Sequence, residues 1–335
     1  MSFAHVHAEA YLQQLMLRDD VEVIGCDPGH STTAGRGHEL ADRTGVQLVD
    51  TLDDVVAWGP EAVIIAAETD QHRPYVEWAA AHGFHVLCEK PLATTVADAR
   101  AMVDACAAAG VHLMVAYPAR FSPAFTELRA TVARGELGSV RAAHGSNLGK
   151  NPVGLRDWFG DPARSGGGAL MDHTVHLADL LDVLFDEALP LDVYADANSL
   201  LFDDLAVESA GLVSVRYAGD RVATIEAGWT QPPAHPAWGG LDLTVIGDAA
   251  VMEFDAFPPL AEGFTGSAPV ILQAGPDLDA LMIDAFISAL REGRAPQPDG
   301  WSGLRSLAVV EAAYASWRSH ETAKVDTSLL TPDPR

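Results

Sequence analysis

The residues best suited to chemistry lie in one short stretch, GGGALMDHTVH, at positions 166–176. Three consecutive glycines lead into a segment of helical character that carries Asp172, His173 and His176. Carboxylate and imidazole groups this close together could ligate a metal ion, act as an acid/base pair, or form a merely polar helix face. The rest of the sequence must distinguish these three possibilities.

Helix geometry separates the two histidines. Asp172 and His176 are four residues apart, so they lie about 40° apart on one helix face. His173 lies about 100° from Asp172, among leucines, where we expect a packed and hydrogen-bonded histidine. A metal ion would need three convergent ligands, and only Asp172 and His176 converge, with Asp179 a turn further on. We therefore expect no metal site here.

The same residues suit proton transfer. Imidazole accepts a proton near neutral pH, which makes His176 a candidate general base. Asp172 stands in the first helical turn, where the helix dipole favours its charge. The glycines would let the backbone approach a ligand closely. A lysine in a second motif, Lys90, favours this interpretation over that of a polar helix face.

The elements that must position these residues change in character along the chain. Between residues 21 and 116, continuous apolar runs alternate with segments of helical periodicity, which predicts a parallel, doubly wound sheet. After Pro118, longer alternating runs predict a mostly antiparallel sheet with one solvated or partner-covered face. Two helices follow, near 278–292 and 301–319. The fold class is therefore α/β, with a dinucleotide-binding domain at 1–118 and a second domain at 119–335.

Ligands of a doubly wound sheet bind beyond the carboxyl ends of its strands. Asp27 follows the apolar run VEVIG (21–25), where its carboxylate could accept hydrogen bonds from the ribose hydroxyls of an adenosine. The charge would repel a 2′-phosphate, so NAD is favoured over NADP. An Asp after a strand is also a common turn former.

The start of the chain departs from the dinucleotide-binding pattern. That pattern opens with an apolar strand and a Gly-x-Gly-x-x-Gly turn, but this chain opens with MSFAHVHAEAY and has no glycine before Gly25. Loss of a central strand would leave its neighbours unpaired, so we expect the native protein to extend upstream. In the remaining turn, we expect backbone N–H groups to face the pyrophosphate at Ser2, Phe3, Ala4 and His5.

A further motif, HVLCEKPLATT (85–95), places Glu89, Lys90 and Pro91 at the end of a strand. Together with the 166–176 stretch and with AYPARFSPAF (116–125), it resembles the Gfo/Idh/MocA family of NAD(P)-dependent oxidoreductases. The resemblance implies a Rossmann domain followed by an α/β domain on an open antiparallel sheet, whose exposed face makes a homodimer or homotetramer. Two departures affect cofactor contacts: the missing glycine fingerprint, and Ala67-Glu68-Thr69 where the family has Thr-Pro-Asn.

The residues and the resemblance together predict hydride transfer between a secondary alcohol of a sugar, inositol or related polyol and a nicotinamide. His176 is the expected general base, Lys90 polarises the reacting oxygen, and Asp172 orients the substrate. Besides the turn at residues 2–5, the expected cofactor contacts are Asp27, Glu68, Thr69, His72, Glu89, Lys90, Pro91 and Arg120. The expected substrate contacts are Lys90, Tyr117, Asn147, Lys150, Trp158, Asp172, His173 and His176.

Two alternatives remain open from sequence: a ligand-sensing regulatory protein that has lost catalysis, and an enzyme that uses NAD redox as one step of glycoside cleavage. Composition narrows the class of partner. The net charge of −26 argues against binding to nucleic acid and against docking on an anionic membrane surface. Three cysteines without CxxC spacing, and no apolar run of membrane length, predict a cytoplasmic protein with reduced thiols.

Overall fold

Parallel strands and helices alternate in the N-terminal half of the computed structural model, which describes residues 1–28, 36–266, 268–273 and 275–331. The strands are β1 (Ile24–Cys26), β2 (Gln47–Val49), β3 (Ala62–Ile65), β4 (His85–Cys88) and β5 (Leu113–Val115). The helices are α1 (Ala8–Met16), α2 (Arg36–Thr44), α3 (Leu52–Trp58), α4 (His72–Ala81) and α5 (Val96–Ala109). Every predicted strand of this half is present, although each is shorter than its apolar run.

Local signals in the sequence explain where these helices begin and end. The Thr95 side chain accepts a hydrogen bond from the backbone of Asp98 and so caps the start of α5. Helix α5 ends at Gly110, whose φ of 69° is the left-handed conformation that glycine adopts without strain. Strand β4 is almost entirely buried, as expected of a strand covered by helices on both faces.

The first residues of the chain lie between two groups of strands. Among the described residues, β1 pairs only with β2, whereas β3, β4 and β5 form a separate sheet. The Ser2 N–H donates to the Cys26 carbonyl at 2.8 Å, and the Ala66 N–H donates to the Met1 carbonyl at 2.9 Å. Residues 1 and 2 therefore bridge the two sheets at the position where a central strand would end.

The C-terminal half is built on one large sheet. Its strands are β6 (Val140–Gly149), β7 (Pro190–Asn198), β8 (Ala210–Tyr217), β9 (Arg221–Gly228), β10 (Gly239–Gly247), β11 (Val251–Asp255) and β14 (Ala323–Lys324). The order across the described part of the sheet is β11-β10-β6-β9-β8-β7-β14. Only the β6–β9 pair is parallel among these, so the sheet is mostly antiparallel, as predicted.

One face of this sheet is buried by helices. Strand β8 alternates between buried and outward-facing residues, which is the period of a strand with one covered face. The covering helices are α8 (Ala169–Leu184) and α10 (Gly300–Ser319). The remaining elements are α6 (Pro123–Ala133), α7 (Pro162–Ser165), α9 (Leu278–Arg291) and a hairpin of β12 (Pro259–Phe264) and β13 (Pro269–Gln273).

The two late helices bring the halves together. Helix α9 packs against α1 and the 3₁₀ turn Pro118–Phe121, and α10 packs against both α5 and α8. Their observed bounds agree with the helices predicted near 278–292 and 301–319. None of the helices in the described part of the chain has the length and apolar character needed to cross a membrane.

Candidate active site

Two motifs that are far apart in sequence meet at a buried ion pair. Lys90 follows strand β4, and Asp172 lies in the first turn of α8. The Lys90 Nζ is 2.5 Å from the Asp172 Oδ1, and the two residues are 5% and 8% exposed. The indole N–H of Trp229 donates to the Asp172 Oδ2 at 2.9 Å. Burial alone would raise the pKa of Asp172, but Lys90 and His173 outweigh it and hold that pKa well below its usual value.

His173 is packed and hydrogen-bonded, as its place on the helix predicted. Its Nδ1 is 2.9 Å from the Asn147 carbonyl, so it donates to that oxygen. Its Nε2 is 3.2 Å from the Asp172 Oδ2. The ring therefore contacts Asp172, although helix geometry predicted that the two side chains would point in different directions. His173 therefore joins β6 to the Lys90–Asp172 pair.

His176 is the half-buried imidazole of the site. Its Nδ1 is buried and has no hydrogen-bond partner among the described residues, and its ring meets the Tyr117 ring edge-on at 5.8 Å. Burial, followed by the neighbouring Lys90 and His173, lowers the pKa of His176 well below 6.5. The imidazole is therefore neutral at pH 7 and able to accept a proton.

A second buried network fixes the residue before Lys90. The Glu89 Oε1 is 2.9 Å from the His7 Nδ1 and accepts a 2.5 Å hydrogen bond from the Tyr11 hydroxyl, while Oε2 accepts from the Lys90 N–H at 2.9 Å. Burial would raise the pKa of Glu89, but His5 and His7 outweigh it and lower that pKa. Burial would likewise lower the pKa of His7, but Glu89 raises it on balance.

This network also brings three metal-ligating groups together. Ligand atoms of His5, His7 and Glu89 lie within 4.8 Å of one another. Both Glu89 oxygens already accept hydrogen bonds from protein groups, including Tyr11 and the Lys90 backbone. We therefore interpret the cluster as a hydrogen-bond network that holds the Lys90 loop in place.

The reactive side chains face a common cleft of about 730 Å³. Lys90, Asp172 and His176 line it together with two other predicted substrate contacts, Asn147 and His173. The Asn147 side-chain amide donates to the Gly240 carbonyl at 2.9 Å, so part of its capacity is used within the sheet. The outer wall includes Trp238, Phe257 and Asp279, which the sequence did not single out.

Three predicted substrate contacts lie outside the described lining of this cleft. Trp158 is 2% exposed, and its indole N–H donates to the Ala4 carbonyl at 3.1 Å, so it packs against the N-terminal turn. Tyr117 is buried, and its ring meets the His176 ring edge-on. The Lys150 backbone N–H donates to the Trp238 carbonyl at 2.9 Å, which anchors the chain beside the cleft.

The N-terminal turn has features that suit an anionic cofactor. It runs from Ser2 to His5 and leads directly into α1, whose N-terminus has no side-chain cap. The N–H groups of Ser2, Ala4 and His5 were expected to face the pyrophosphate, but they donate to the Cys26 carbonyl, the Ser2 hydroxyl and the Ala66 carbonyl. Asp27 lies just after β1 and accepts from the Gly37 N–H at 3.2 Å. The N-terminus of α1 and Asp27 fit the phosphates and the ribose of a dinucleotide at the point where the strand order reverses. Phe3 and Ala4 are buried, so they shape the turn through their backbone.

The remaining predicted cofactor residues support the loops around this turn. Glu68 is buried and pairs with Arg164, with 2.5 Å between Oε1 and Nη2, and Thr69 begins the 3₁₀ turn Thr69–Gln71. His72 is buried, with its Nδ1 3.0 Å from the Pro91 carbonyl, so it holds the loop that carries Lys90. The Arg120 guanidinium makes two hydrogen bonds to the Asp179 carboxylate, of 2.9 and 2.5 Å, and ties the 3₁₀ turn Pro118–Phe121 to α8.

The glycines before α8 make room for the protein's own residues. A Cβ atom on Gly167 would lie 1.8 Å from the Tyr314 hydroxyl, and one on Gly168 would lie 2.1 Å from the Glu208 carbonyl. The close approach expected between this backbone and a ligand is therefore an approach to Tyr314 and Glu208. Neither residue was singled out from the sequence, because nothing in their local pattern signals a contact with the glycines.

Both halves of the chain match domains of one protein family. The oxidoreductase family with an NAD-binding Rossmann fold matches residues 3–117, and the GFO/IDH/MocA C-terminal domain matches residues 125–253. The 1,5-anhydro-D-fructose reductase of Ensifer adhaerens is 28% identical over 303 residues, which cover 89% of this chain and 90% of that enzyme. The inositol 2-dehydrogenase of Rubrobacter xylanophilus is 26% identical over 307 residues, which cover 87% of this chain and 83% of the relative.

Solved structures share the fold. The crystal structure of GenD2 from gentamicin A biosynthesis in complex with NAD superposes with a TM-score of 0.85 at 23% identity, covering 95% of this chain and 93% of that one. Both family domains are matched in order, and the motifs around Lys90 and Asp172 meet in one cleft. The chain therefore belongs to the Gfo/Idh/MocA family of oxidoreductases, as its motifs predicted.

Proposed function

We propose that this protein is an NAD-dependent dehydrogenase that acts on a secondary alcohol of a sugar, inositol or related polyol. The observation that carries the proposal is the convergence of Lys90, Asp172 and the neutral His176 on one cleft. When bound, the nicotinamide supplies the hydride chemistry. The protein must then place the alcohol, take its proton and stabilise the charge that develops on its oxygen.

Each of the three side chains has a distinct part in that task. His176 accepts the hydroxyl proton, since its ring is neutral and half-buried and lines the cleft. The Lys90 ammonium donates a hydrogen bond to the same oxygen and stabilises its negative charge as the proton leaves. Asp172 holds the Lys90 ammonium in position through their ion pair, and it accepts a hydrogen bond from a second substrate hydroxyl. In the reducing direction the same groups act in reverse.

Cofactor choice rests on Asp27. Its carboxylate stands at the end of β1 beside the N-terminal turn, where it can accept from ribose hydroxyls and would repel a 2′-phosphate. We therefore propose NAD as the preferred cofactor over NADP. The N-terminus of α1 would hold the pyrophosphate.

The outer cleft provides an aromatic wall. Trp238 is 48% exposed and lines the cleft with Phe257, whereas Trp158 is buried against the N-terminal turn. We propose that Trp238 is the aromatic face beside the substrate ring, with Asn147 and His173 closer to the reacting carbon. Polyol rings present C–H faces that pack on aromatic side chains while their hydroxyls are hydrogen-bonded elsewhere.

We further propose a cytoplasmic homodimer or homotetramer that assembles through the outward face of the large sheet. Tyr194 and Leu212 are 48% and 61% exposed on that face, and the three cysteines are free and buried. Analytical ultracentrifugation of the wild-type protein and of a Leu212→Glu variant tests this assembly. A monomeric wild-type protein would contradict it.

The central test is turnover. Purified protein is incubated with NAD⁺ and a panel of sugars, inositols and other polyols, and NADH formation is followed by absorbance. We expect oxidation of at least one polyol and its loss in Lys90→Ala with NADH binding retained. Binding of NADH and a polyol without turnover would favour a ligand sensor, and release of an aglycone without net NADH would favour glycoside cleavage.

A further inference from the structure

A buried carboxylate lies beneath the N-terminus of the helix that carries Asp172 and His176. Glu208 stands between β7 and β8, forty residues from the glycine turn, and is 2% exposed. Its Oε1 accepts hydrogen bonds from the N–H groups of Gly168 at 3.0 Å and Leu170 at 2.8 Å. The Tyr314 hydroxyl, on α10, donates to the same oxygen at 2.8 Å.

These bonds supply what the helix lacks in its own sequence. The N-cap residue of α8 is Gly168, so the helix has no side-chain cap of its own. The first N–H groups of a helix have no intrahelical partner and need an acceptor when they are buried. Glu208 provides one through its carboxylate, and its backbone carbonyl accepts from the Ala169 N–H at 3.0 Å.

The capped turn is the turn that holds Asp172. The Asp172 N–H donates to the Gly168 carbonyl at 2.9 Å, so Asp172 closes the helical turn that Glu208 anchors. The Asp172 side chain in turn contacts Lys90 and His173. A displacement of Gly168 or Leu170 would therefore move Asp172 relative to Lys90.

We propose that Glu208, held by Tyr314, is a positioning residue for the reaction: it fixes the first turn of α8 and thereby the geometry of Lys90, Asp172 and His176. This inference rests on the proposed function for its kinetic consequence. Its structural consequence can be measured without any substrate.

Two variants and one matched control test the proposal. Glu208→Gln keeps the size of the side chain, but the Gly168 N–H faces both Glu208 oxygens, at 3.0 and 3.2 Å, so an amide NH₂ would meet a donor. Tyr314→Phe removes only the hydroxyl that holds the carboxylate. The control is Glu311→Gln, because Glu311 also accepts from the first N–H of a helix, Val96 of α5 at 2.9 Å, but that helix carries none of the three reacting side chains.

The first readout needs no turnover. We measure the pKa of His176 by NMR and the amide hydrogen exchange of Gly168 and Leu170 in folded protein. We expect Glu208→Gln to shift the His176 pKa and to speed this exchange, Tyr314→Phe to do the same to a smaller degree, and Glu311→Gln to do neither. An unchanged His176 pKa in both Glu208→Gln and Tyr314→Phe would overturn the proposal.

The second readout is kinetic. Misplacement of a reacting group by a fraction of an ångström is costly, so we expect kcat of Glu208→Gln to fall about tenfold or more while the KM for NAD changes little. The fall in kcat should be smaller in Tyr314→Phe than in Glu208→Gln, and Glu311→Gln should keep the wild-type kcat. A kcat within twofold of wild type in Glu208→Gln would overturn the proposal. Failure of the wild-type protein to oxidise any polyol would refute the proposed function, and the His176 titration would still decide the role of Glu208.

Discussion

Replacement of Lys90 by Met should destabilise the fold as well as abolish turnover. The Lys90–Asp172 pair is 2.5 Å long, and both residues are at least nine-tenths buried. Removal of one partner from a buried ion pair leaves an uncompensated charge and costs about 3–5 kcal/mol of unfolding free energy. The same change removes the donor to the developing alkoxide, a loss of about 10²–10³ in kcat. We therefore expect Lys90→Met to lose stability and activity together at pH 7.

The pH dependence of this destabilisation identifies its cause. In the wild type, the pKa of Asp172 is depressed, so its stabilising contribution is present above the unfolded pKa and is lost as the pH falls through the folded value. In Lys90→Met, burial without the ammonium raises that pKa, so the variant loses stability as the pH rises from the unfolded pKa of Asp172 to the raised folded value. Urea unfolding of both proteins between about pH 4 and pH 8 should show their difference widening with pH.

Two controls isolate the pair. Lys90→Met/Asp172→Asn removes both charges and should recover much of the lost stability without recovering activity. Lys324→Met breaks a pair with Asp192 in which the lysine side chain is 79% exposed, and it should cost less than about 1 kcal/mol. The reasoning would be refuted if Lys90→Met unfolded at the wild-type urea concentration at pH 7.

Three further perturbations test the other parts of the site. His176→Gln should lower kcat/KM by about 10²–10⁴ with the Kd for NADH unchanged, as measured by steady-state kinetics and fluorescence titration; wild-type turnover would exclude His176 as the base. Asp27→Ala should weaken NAD binding more than NADP binding in calorimetric titration, because it removes both the acceptor for ribose and the repulsion of a 2′-phosphate; equal losses would contradict its assignment. Trp238→Ala should raise the KM for the polyol with a smaller change in kcat, whereas Trp58→Ala, which alters a tryptophan 38% exposed on α3, should leave both constants unchanged; an effect of equal size in both would argue against the aromatic wall.

Periodicity predicted the elements well and their contacts poorly. The apolar runs before Asp27, Glu68 and Lys90 are strands as predicted, because burial on both faces leaves a continuous apolar signal. Strand β7 has a weaker signal in the sequence, since Asp192 and Asp196 interrupt its apolar pattern. Asp192 is nevertheless buried, because Arg216 and Lys324 neutralise it from neighbouring strands. Which charged residues face each other across neighbouring strands cannot be read from the sequence until the register of the strands is known.

The tryptophans show the same limit within the site. Trp158 was predicted to face the substrate because it lies in a polar, glycine-containing loop, but that loop folds back and its indole bonds to the Ala4 carbonyl. Trp238 lies in the cleft and Trp229 donates to Asp172, although both come from a segment that sequence reasoning treated only as strand and turn. Which face of a loop covers a site depends on long-range packing that local pattern does not encode.

Helix α8 shows why the motif at residues 166–176 did not reveal which residues support it. Helix α8 contains three acidic residues, Asp172, Asp179 and Asp182, and no Lys or Arg, yet all three are buried. Each is neutralised from a different element: Asp172 by Lys90 after β4, Asp179 by Arg120 in the 3₁₀ turn Pro118–Phe121, and Asp182 by Arg305 on α10 at 2.6 and 2.8 Å.

Burial of an ion pair adds little net stability compared with an apolar contact, but a mismatched partner is heavily penalised. Three such pairs along one helix therefore act chiefly on its placement. Together they favour a single placement of α8 between the two halves, in which Asp172 contacts Lys90. The acidic residues that look like a polar helix face in the sequence thus fix α8 against the loop after β4, the 3₁₀ turn Pro118–Phe121 and helix α10. They thereby fix the position of Asp172.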